Sequence, residues 1–207
     1  MTRCLGCRLI LITSLGAYLL FLGGCGGPRT KNSQFYLLSS LADTESIDPV
    51  ERGSVSVAIG PLQLADHLNR AEIVTRVGEN ELELAEFHRW AGSITDHLPK
   101  VLAENLSVLL ATERIDTYPW SSPTPADYQV TIDITRFDGE VGGDVIMRAR
   151  WMILGDGGGT LLSMKQSSLR ESAEGNDYPA LVAAKSRMLV ELSRQIASEI
   201  RRVSRQN

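Results

Sequence analysis

Alternating apolar and polar residues predict strands in the first half of the chain. Val55, Val57 and Ile59 alternate with smaller or polar residues up to Gly60-Pro61, where we expect the strand to stop. Segments 72–77 and 81–87 also alternate and are separated by Gly78-Glu79-Asn80, which predicts a β-hairpin. A shorter apolar run, Phe35 to Leu38, predicts one further strand.

The hydrophobic period changes after residue 96, which predicts a helix. Apolar residues from Leu98 to Leu110 recur every three or four positions, as they do along one side of an amphipathic helix. Asp96 is the expected N-cap, and Pro99 then falls in the first turn, where a missing N–H is tolerated. We expect the helix to end near Ala111 or Thr112.

The second half repeats the order of strands followed by a helix. Segment 115–118 predicts a short strand, and segment 127–171 predicts a three-stranded antiparallel meander with glycine-rich turns. Segment 178–203 carries the longest helical stripe of apolar residues, and we expect that stripe to lie in the core. The order strands, helix, strands, helix predicts an α+β fold: a mostly antiparallel sheet with two main helices packed on one face.

The start of the chain has the pattern of a lipoprotein signal peptide. A basic start precedes the uncharged run from Leu9 to Leu22, which is shorter than the roughly 20 residues of a membrane-spanning helix. The sequence Leu22-Gly23-Gly24-Cys25 then resembles the lipobox of bacterial lipoproteins, in which the cysteine is acylated. We therefore predict a signal peptide at 1–24, a lipidated flexible tether at 25–34 and a single domain at 35–207. Gly26 after the cysteine favours sorting to the outer membrane of a Gram-negative bacterium, on its periplasmic face.

Charge and cysteine content narrow the function further. Loss of residues 1–24 removes two arginines and no acid, which changes the net charge from −4 to −6. An acidic domain disfavours nucleic acid as a partner. Cys25 would be the one cysteine left, so the predicted domain has no internal disulfide.

The sequence has no recognisable catalytic or metal-binding motif. His67, His88 and His97 lack the spacing of a metal-binding helix pair, and no serine-hydrolase elbow is present. The Gly155 to Gly159 cluster lacks the lysine and hydroxyl residue of a phosphate loop, so a hairpin turn is favoured. We predict that the protein is not an enzyme and has no metal or cofactor besides the lipid on Cys25.

Several short motifs occur together in the order seen in one known family. The chain resembles the PqiC (YmbA) family of lipoproteins, which are auxiliary components of ABC-type transport systems. The motifs that carry the resemblance are Tyr36-Leu37-Leu38, Val57 to Leu62, Ile73 to Arg76, Phe87 to Ala91, Val101 to Leu106, Tyr118-Pro119-Trp120 and Arg136 to Gly139.

The resemblance implies a non-enzymatic part of an intermembrane lipid transport system. Its expected partners are a PqiB-like MCE-domain tunnel protein, a PqiA-like or ABC-transporter component of the inner membrane, and outer-membrane lipid. Members of the family are expected to form homo-oligomers, such as a ring. Two alternatives stay open: an envelope-stability or pilot-type lipoprotein that binds only protein, and a tethered hydrolase with an unrecognised site.

Aromatic and arginine side chains are enriched at protein interfaces, which suggests a candidate partner or oligomer surface. Some of these residues could instead belong to the core or be paired internally. The candidates are Phe87, His88, Arg89, Trp90, Tyr118 and Trp120.

Overall fold

The computed structural model describes residues 31–44, 54–120 and 125–206. Cys25, the predicted signal peptide and most of the predicted tether lie outside these ranges. The fold below is that of the compact unit that begins at Ser33. Within the described ranges, no helix is both long and apolar enough to span a membrane.

The described residues contain eight strands and three α-helices. The strands are β1 (Gln34–Tyr36), β2 (Val57–Leu64), β3 (Glu72–Arg76), β4 (Leu82–Trp90), β5 (Ile115–Thr117), β6 (Tyr128–Gly139), β7 (Asp144–Gly155) and β8 (Thr160–Ser172). The helices are α1 (Leu41–Thr44), α2 (Ile94–Leu110) and α3 (Tyr178–Ser204).

The predicted α+β class is confirmed, and the strands form two sheets instead of one. The smaller sheet has the order β1-β4-β3 and contains the predicted hairpin, β3 and β4. The larger sheet has the order β5-β2-β6-β7-β8, in which β6, β7 and β8 are the predicted antiparallel meander. β2 pairs in parallel with both β5 and β6, and β1 pairs in parallel with β4. Such long-range parallel pairings leave no signal in local spacing.

The prediction that β2 stops at Gly60-Pro61 was wrong, because the strand continues to Leu64. β5 pairs only with Val57 to Ile59, so β2 has no ladder partner on that side when it reaches Pro61. A proline N atom there removes no hydrogen bond from the sheet. The pairing with β6 also shifts register between Ile59 and Leu62, which accommodates the irregular backbone.

The predicted N-cap of α2 was also wrong, whereas the predicted end was right. Ser93 is the N-cap, and its Oγ accepts a hydrogen bond from the Asp96 N–H at 3.3 Å. The helix therefore begins at Ile94, and Pro99 lies beyond the first turn. Ala111 ends the helix in the left-handed conformation, with φ of 52°.

The core lies between the larger sheet and the two long helices. Alternate residues of β7 are buried as predicted, while Arg148 and Arg150 point away from the core. The predicted stripe of α3 is buried against β8 and α2, so this helix belongs to the core. The buried residues of that stripe are Leu181, Val182, Leu189, Leu192, Ile196, Ile200 and Val203.

Asn105 of α2 is a buried polar residue that joins three parts of the fold. Its Oδ1 accepts a hydrogen bond from the Leu41 N–H at 2.7 Å, and its Nδ2 donates to Ser193 Oγ of α3 at 3.2 Å. Asn105 and Ser193 are fully buried and Leu41 is 4% exposed, so these hydrogen bonds are shielded from water. The side chain fixes the start of α1 against both long helices.

We expect Asn105→Ala to lower the free energy of unfolding by about 2 kcal/mol, because the variant loses two buried hydrogen bonds, to the Leu41 N–H and to Ser193 Oγ. Urea unfolding followed by circular dichroism measures the loss. Glu104→Ala is the matched control, since Glu104 is the exposed neighbour on the same helix and should change stability by less than about 0.5 kcal/mol. Equal losses in the two variants would contradict this role for Asn105.

Candidate functional site

The six predicted surface residues lie on two different sheets. Phe87 to Trp90 form the end of β4 in the smaller sheet, whereas Tyr118 and Trp120 follow β5 of the larger sheet. The structure thus divides the candidates into two groups, whose environments differ.

Two of the β4 residues are held inside the fold. Trp90 is buried and packs in the core. His88 stacks on Tyr178 at the start of α3, with ring centroids 3.8 Å apart, and its Nδ1 lies 2.8 Å from the Tyr36 hydroxyl of β1. His88 therefore links β1, β4 and α3.

The other two β4 residues are half-buried. Arg89 forms an ion pair with Glu72 across the hairpin, at 3.0 Å. Phe35 of β1 is the register partner of Arg89, and its side chain is 64% exposed. Phe87 lies two residues before Arg89 and so on the same side of β4.

Tyr118 and Trp120 form an exposed aromatic pair. Their rings meet edge to face with centroids 5.4 Å apart, and the residues are 57% and 41% exposed. This geometry is a favoured one for aromatic pairs, and it stiffens two large side chains at the surface.

The backbone of β2 holds Tyr118 in place. The Tyr118 N–H donates to the Ile59 carbonyl at 2.9 Å. Gly60 has a φ of +124°, and a Cβ on it would lie 2.7 Å from the Tyr118 Cβ. Only glycine allows both this conformation and this approach. The pair is therefore anchored to the larger sheet.

A buried charge network, missed by the sequence analysis, lies beneath the smaller sheet. Asp138 of β6 has a fully buried side chain that bonds Arg76 of β3, with Nε–Oδ1 at 2.9 Å and Nη2–Oδ2 at 3.1 Å. Arg136 Nε donates to the same Oδ1 at 3.1 Å. Burial alone would raise the pKa of Asp138, but the two arginines outweigh it and hold the pKa below its usual range.

Lys185 of α3 extends this network into the core. Its Nζ donates to the Phe137 carbonyl at 2.5 Å and lies 4.4 Å from the centre of the Phe137 ring. Burial lowers the pKa of Lys185 to about 8, and the charge of Asp138 opposes that shift. A sequence signal existed, because Lys185 is four residues after Leu181 and four before Leu189, on the apolar side of α3.

Asp138 is paired with both arginines, and its bonds to Arg76 join β6 of the larger sheet to β3 of the smaller one, so the network is suited to holding the two sheets together. The three histidines are not close enough together to form a metal site, and the described ranges contain no group of three His, Cys, Asp or Glu side chains suited to a metal ion. His67 is exposed, and burial lowers the pKa of the half-buried His97. The glycine cluster at 155–159 is the predicted hairpin turn, a short 3₁₀ turn between β7 and β8.

The chain belongs to the family of ABC-type transport auxiliary lipoprotein components, whose family model matches residues 36–197. It is similar to the intermembrane transport lipoprotein PqiC of Escherichia coli K12, with 22% identity over 185 residues that cover 89% of this chain and 94% of that protein. The protein of the same name from Shigella flexneri has the same identity and coverage.

Two crystal structures have a similar fold. A protein from Xanthomonas campestris has a TM-score of 0.68 and 15% identity, covering 84% of this chain and 98% of its own. An uncharacterized protein has a TM-score of 0.67 and 19% identity, covering 82% and 99%.

Proposed function

We propose that this lipoprotein is anchored by Cys25 in the outer membrane and serves an intermembrane lipid transport system. In this proposal it docks as a homo-oligomeric ring with a PqiB-like MCE-domain protein and works with a PqiA-like or ABC-transporter component. It acts without catalysis and without nucleic acid. Membership of the transport auxiliary family is the observation that carries the proposal. The similarity to PqiC and the lipobox-like sequence support it.

The tether constrains where the domain works. At ~3.5 Å per extended residue, the nine residues between Cys25 and Phe35 span at most about 30 Å. A domain held this close to the membrane meets its partner at the membrane surface.

The aromatic pair is the docking element that we favour. Trp90 is buried and His88 is stacked within the fold, so neither offers a free side chain to a partner. Tyr118 and Trp120 are both exposed and packed edge to face, and side chains whose rotamers are already restricted lose less conformational entropy on binding. Tyrosine and tryptophan are also the residue types most enriched at interface hot spots.

The test is an affinity pull-down of the full lipoprotein from envelope extract, with bound proteins identified by mass spectrometry. We expect an MCE-domain protein in the eluate. Recovery of other envelope proteins without any MCE-domain protein would contradict the transport proposal and favour an envelope-stability or pilot-type role.

We expect Trp120→Ala to weaken partner binding at least about 30-fold, because loss of an aromatic hot spot costs about 2 kcal/mol or more. Binding to the recovered partner is measured by surface plasmon resonance. Leu84→Ala is the control, since Leu84 is 46% exposed on β4 of the other sheet and should leave affinity within about twofold. If the two variants bind equally well, Trp120 is not part of the interface.

A further inference from the structure

The outer face of the larger sheet is divided into an apolar end and a basic end. On this face Leu154 is the register partner of Leu161, and Met152 is the register partner of Met164. Leu161 and Met164 are 53% and 62% exposed. Among the described residues no helix covers them, because the long helices pack on the opposite, buried side of the same strands. Four large apolar side chains therefore lie next to each other on an open sheet surface.

Arginines follow directly along β7. Arg150 is two residues from Met152, about 7 Å along the strand, and Arg148 is two residues further. Both arginines are exposed. Asp133 is the register partner of Arg150, and its Oδ2 lies 3.4 Å from Arg150 Nη2. Side chains 66% and 40% exposed form only a weak ion pair.

A groove is present where the two ends meet. It has a volume of about 360 Å³, which is within the ~300–1,000 Å³ range of small-molecule sites. Its walls are mainly apolar, and methionine side chains adapt readily to an irregular ligand. The residues that line it include Pro61, Gln63, Thr131, Arg150, Met152 and Met164.

One residue that lines this groove, Thr131, has a polar atom without a partner. The Thr131 hydroxyl is shielded from solvent and has no hydrogen-bond partner in the part of the chain that the structure describes. A buried hydroxyl without a partner is unfavourable by about 1–3 kcal/mol. A rotation of the Thr131 side chain that brings the hydroxyl to the groove surface would let a ligand oxygen remove that cost.

We propose that this groove binds one molecule of an anionic glycerophospholipid. Its acyl chain lies over Met152, Met164 and Pro61, and its phosphate contacts Arg150, with Arg148 nearby. Once rotated toward the groove, the Thr131 hydroxyl donates to an ester or phosphate oxygen. The arrangement fits this occupant because a phosphate can accept two parallel hydrogen bonds from one guanidinium, displacing the weak contact with Asp133. This inference rests on the proposed lipid transport function and adds a binding site to it.

The test uses the full lipoprotein in detergent and a phosphatidylglycerol that carries a photoreactive diazirine in its acyl chain. After irradiation, mass spectrometry maps the labelled peptides. We expect labelling of β7 and β8 around Met152 and Met164, at least threefold stronger than with the matching phosphatidylcholine. Labelling spread evenly over the surface, or equal labelling by the two lipids, would overturn the proposal.

Two variants separate the apolar end from the basic end. Met164→Glu should reduce labelling at this site at least about tenfold, because it places a charge beside the acyl chain. Arg150→Gln should abolish the preference for phosphatidylglycerol. Leu84→Glu and Arg70→Gln are the matched controls, at exposed positions outside the larger sheet, and should label like the wild type.

The same variants are also passed through the partner pull-down. If the wild type recovers an MCE-domain protein but shows no labelling at the groove, the lipid site is wrong and the proposed function stands. If the wild type is not labelled at the groove and Met164→Glu lowers the mass of the oligomer, a second copy of the chain covers this face and the lipid does not.

Discussion

Asp138→Asn is expected to lower the free energy of unfolding by about 3 kcal/mol, which is the largest loss among the substitutions that we propose. The carboxylate is fully buried and compensates the charges of Arg76 and Arg136, whose side chains are only 20% and 23% exposed. An amide cannot supply the negative charge, and an arginine left unpaired inside a protein is costly. Lys185 also loses the nearby charge that favours its protonated form. Denaturant unfolding measures the difference.

The matched control is Asp144→Asn, which breaks a surface ion pair. Asp144 Oδ2 accepts from Arg170 Nη1 at 2.7 Å, but the side chains are 41% and 68% exposed, so we expect a loss of less than about 1 kcal/mol. Similar losses in the two variants would show that burial of Asp138 does not matter.

The stabilisation that Asp138 provides should decrease at acidic pH. The pKa of Asp138 is lower in the folded protein than in the unfolded chain. Ionised Asp138 therefore contributes its full stabilisation above the pKa of the unfolded chain, about 4, and this stabilisation is lost as the pH falls through the pKa of the folded protein. Asp138→Asn has no such group. The stability difference between wild type and variant should therefore shrink below about pH 4.

Cys25→Ser is expected to move the protein from the membrane fraction to the soluble periplasmic fraction almost completely. Each buried CH₂ of an acyl chain contributes about 0.8 kcal/mol, and two or more chains make anchoring stable. Serine cannot form the thioether that carries the lipid. Envelope fractionation and metabolic labelling with an alkyne fatty acid measure the two effects.

Cys7→Ser is the matched control, because Cys7 lies in the predicted signal peptide and should keep both labelling and membrane location. If the Cys25→Ser protein stays in washed membranes without label, another part of the chain anchors it.

The spacing of apolar residues along the chain predicted those strands and helices that have one buried side and one exposed side. The alternation of Val145, Met147 and Ala149 with Ile146 and Arg148 marks the buried side of β7, and the apolar stripe marks the buried side of α3. Cap positions were harder, because Ser93 and Asp96 are both good N-cap residues and tertiary packing decides between them.

Contacts between distant residues could not be predicted. The bonds between Arg76 and Asp138 join positions 62 residues apart, in β3 and β6. The sequence also could not distinguish a buried tryptophan, Trp90, from an exposed one, Trp120, because both are large apolar residues near the end of an extended segment. The candidate surface was therefore predicted from residue types, and only the structure shows which of its side chains are accessible to a partner.

The pairing of β1 determines how mechanical force from the predicted membrane anchor would spread through the domain. A pull along β1 loads its hydrogen bonds to β4 in shear, so that they resist together. Beyond the strand, the Ser39 N–H donates to Ser186 Oγ of α3 and the Leu41 N–H donates to Asn105 of α2. Tension applied at the start of β1 would thus pass beyond the sheet edge into both long helices.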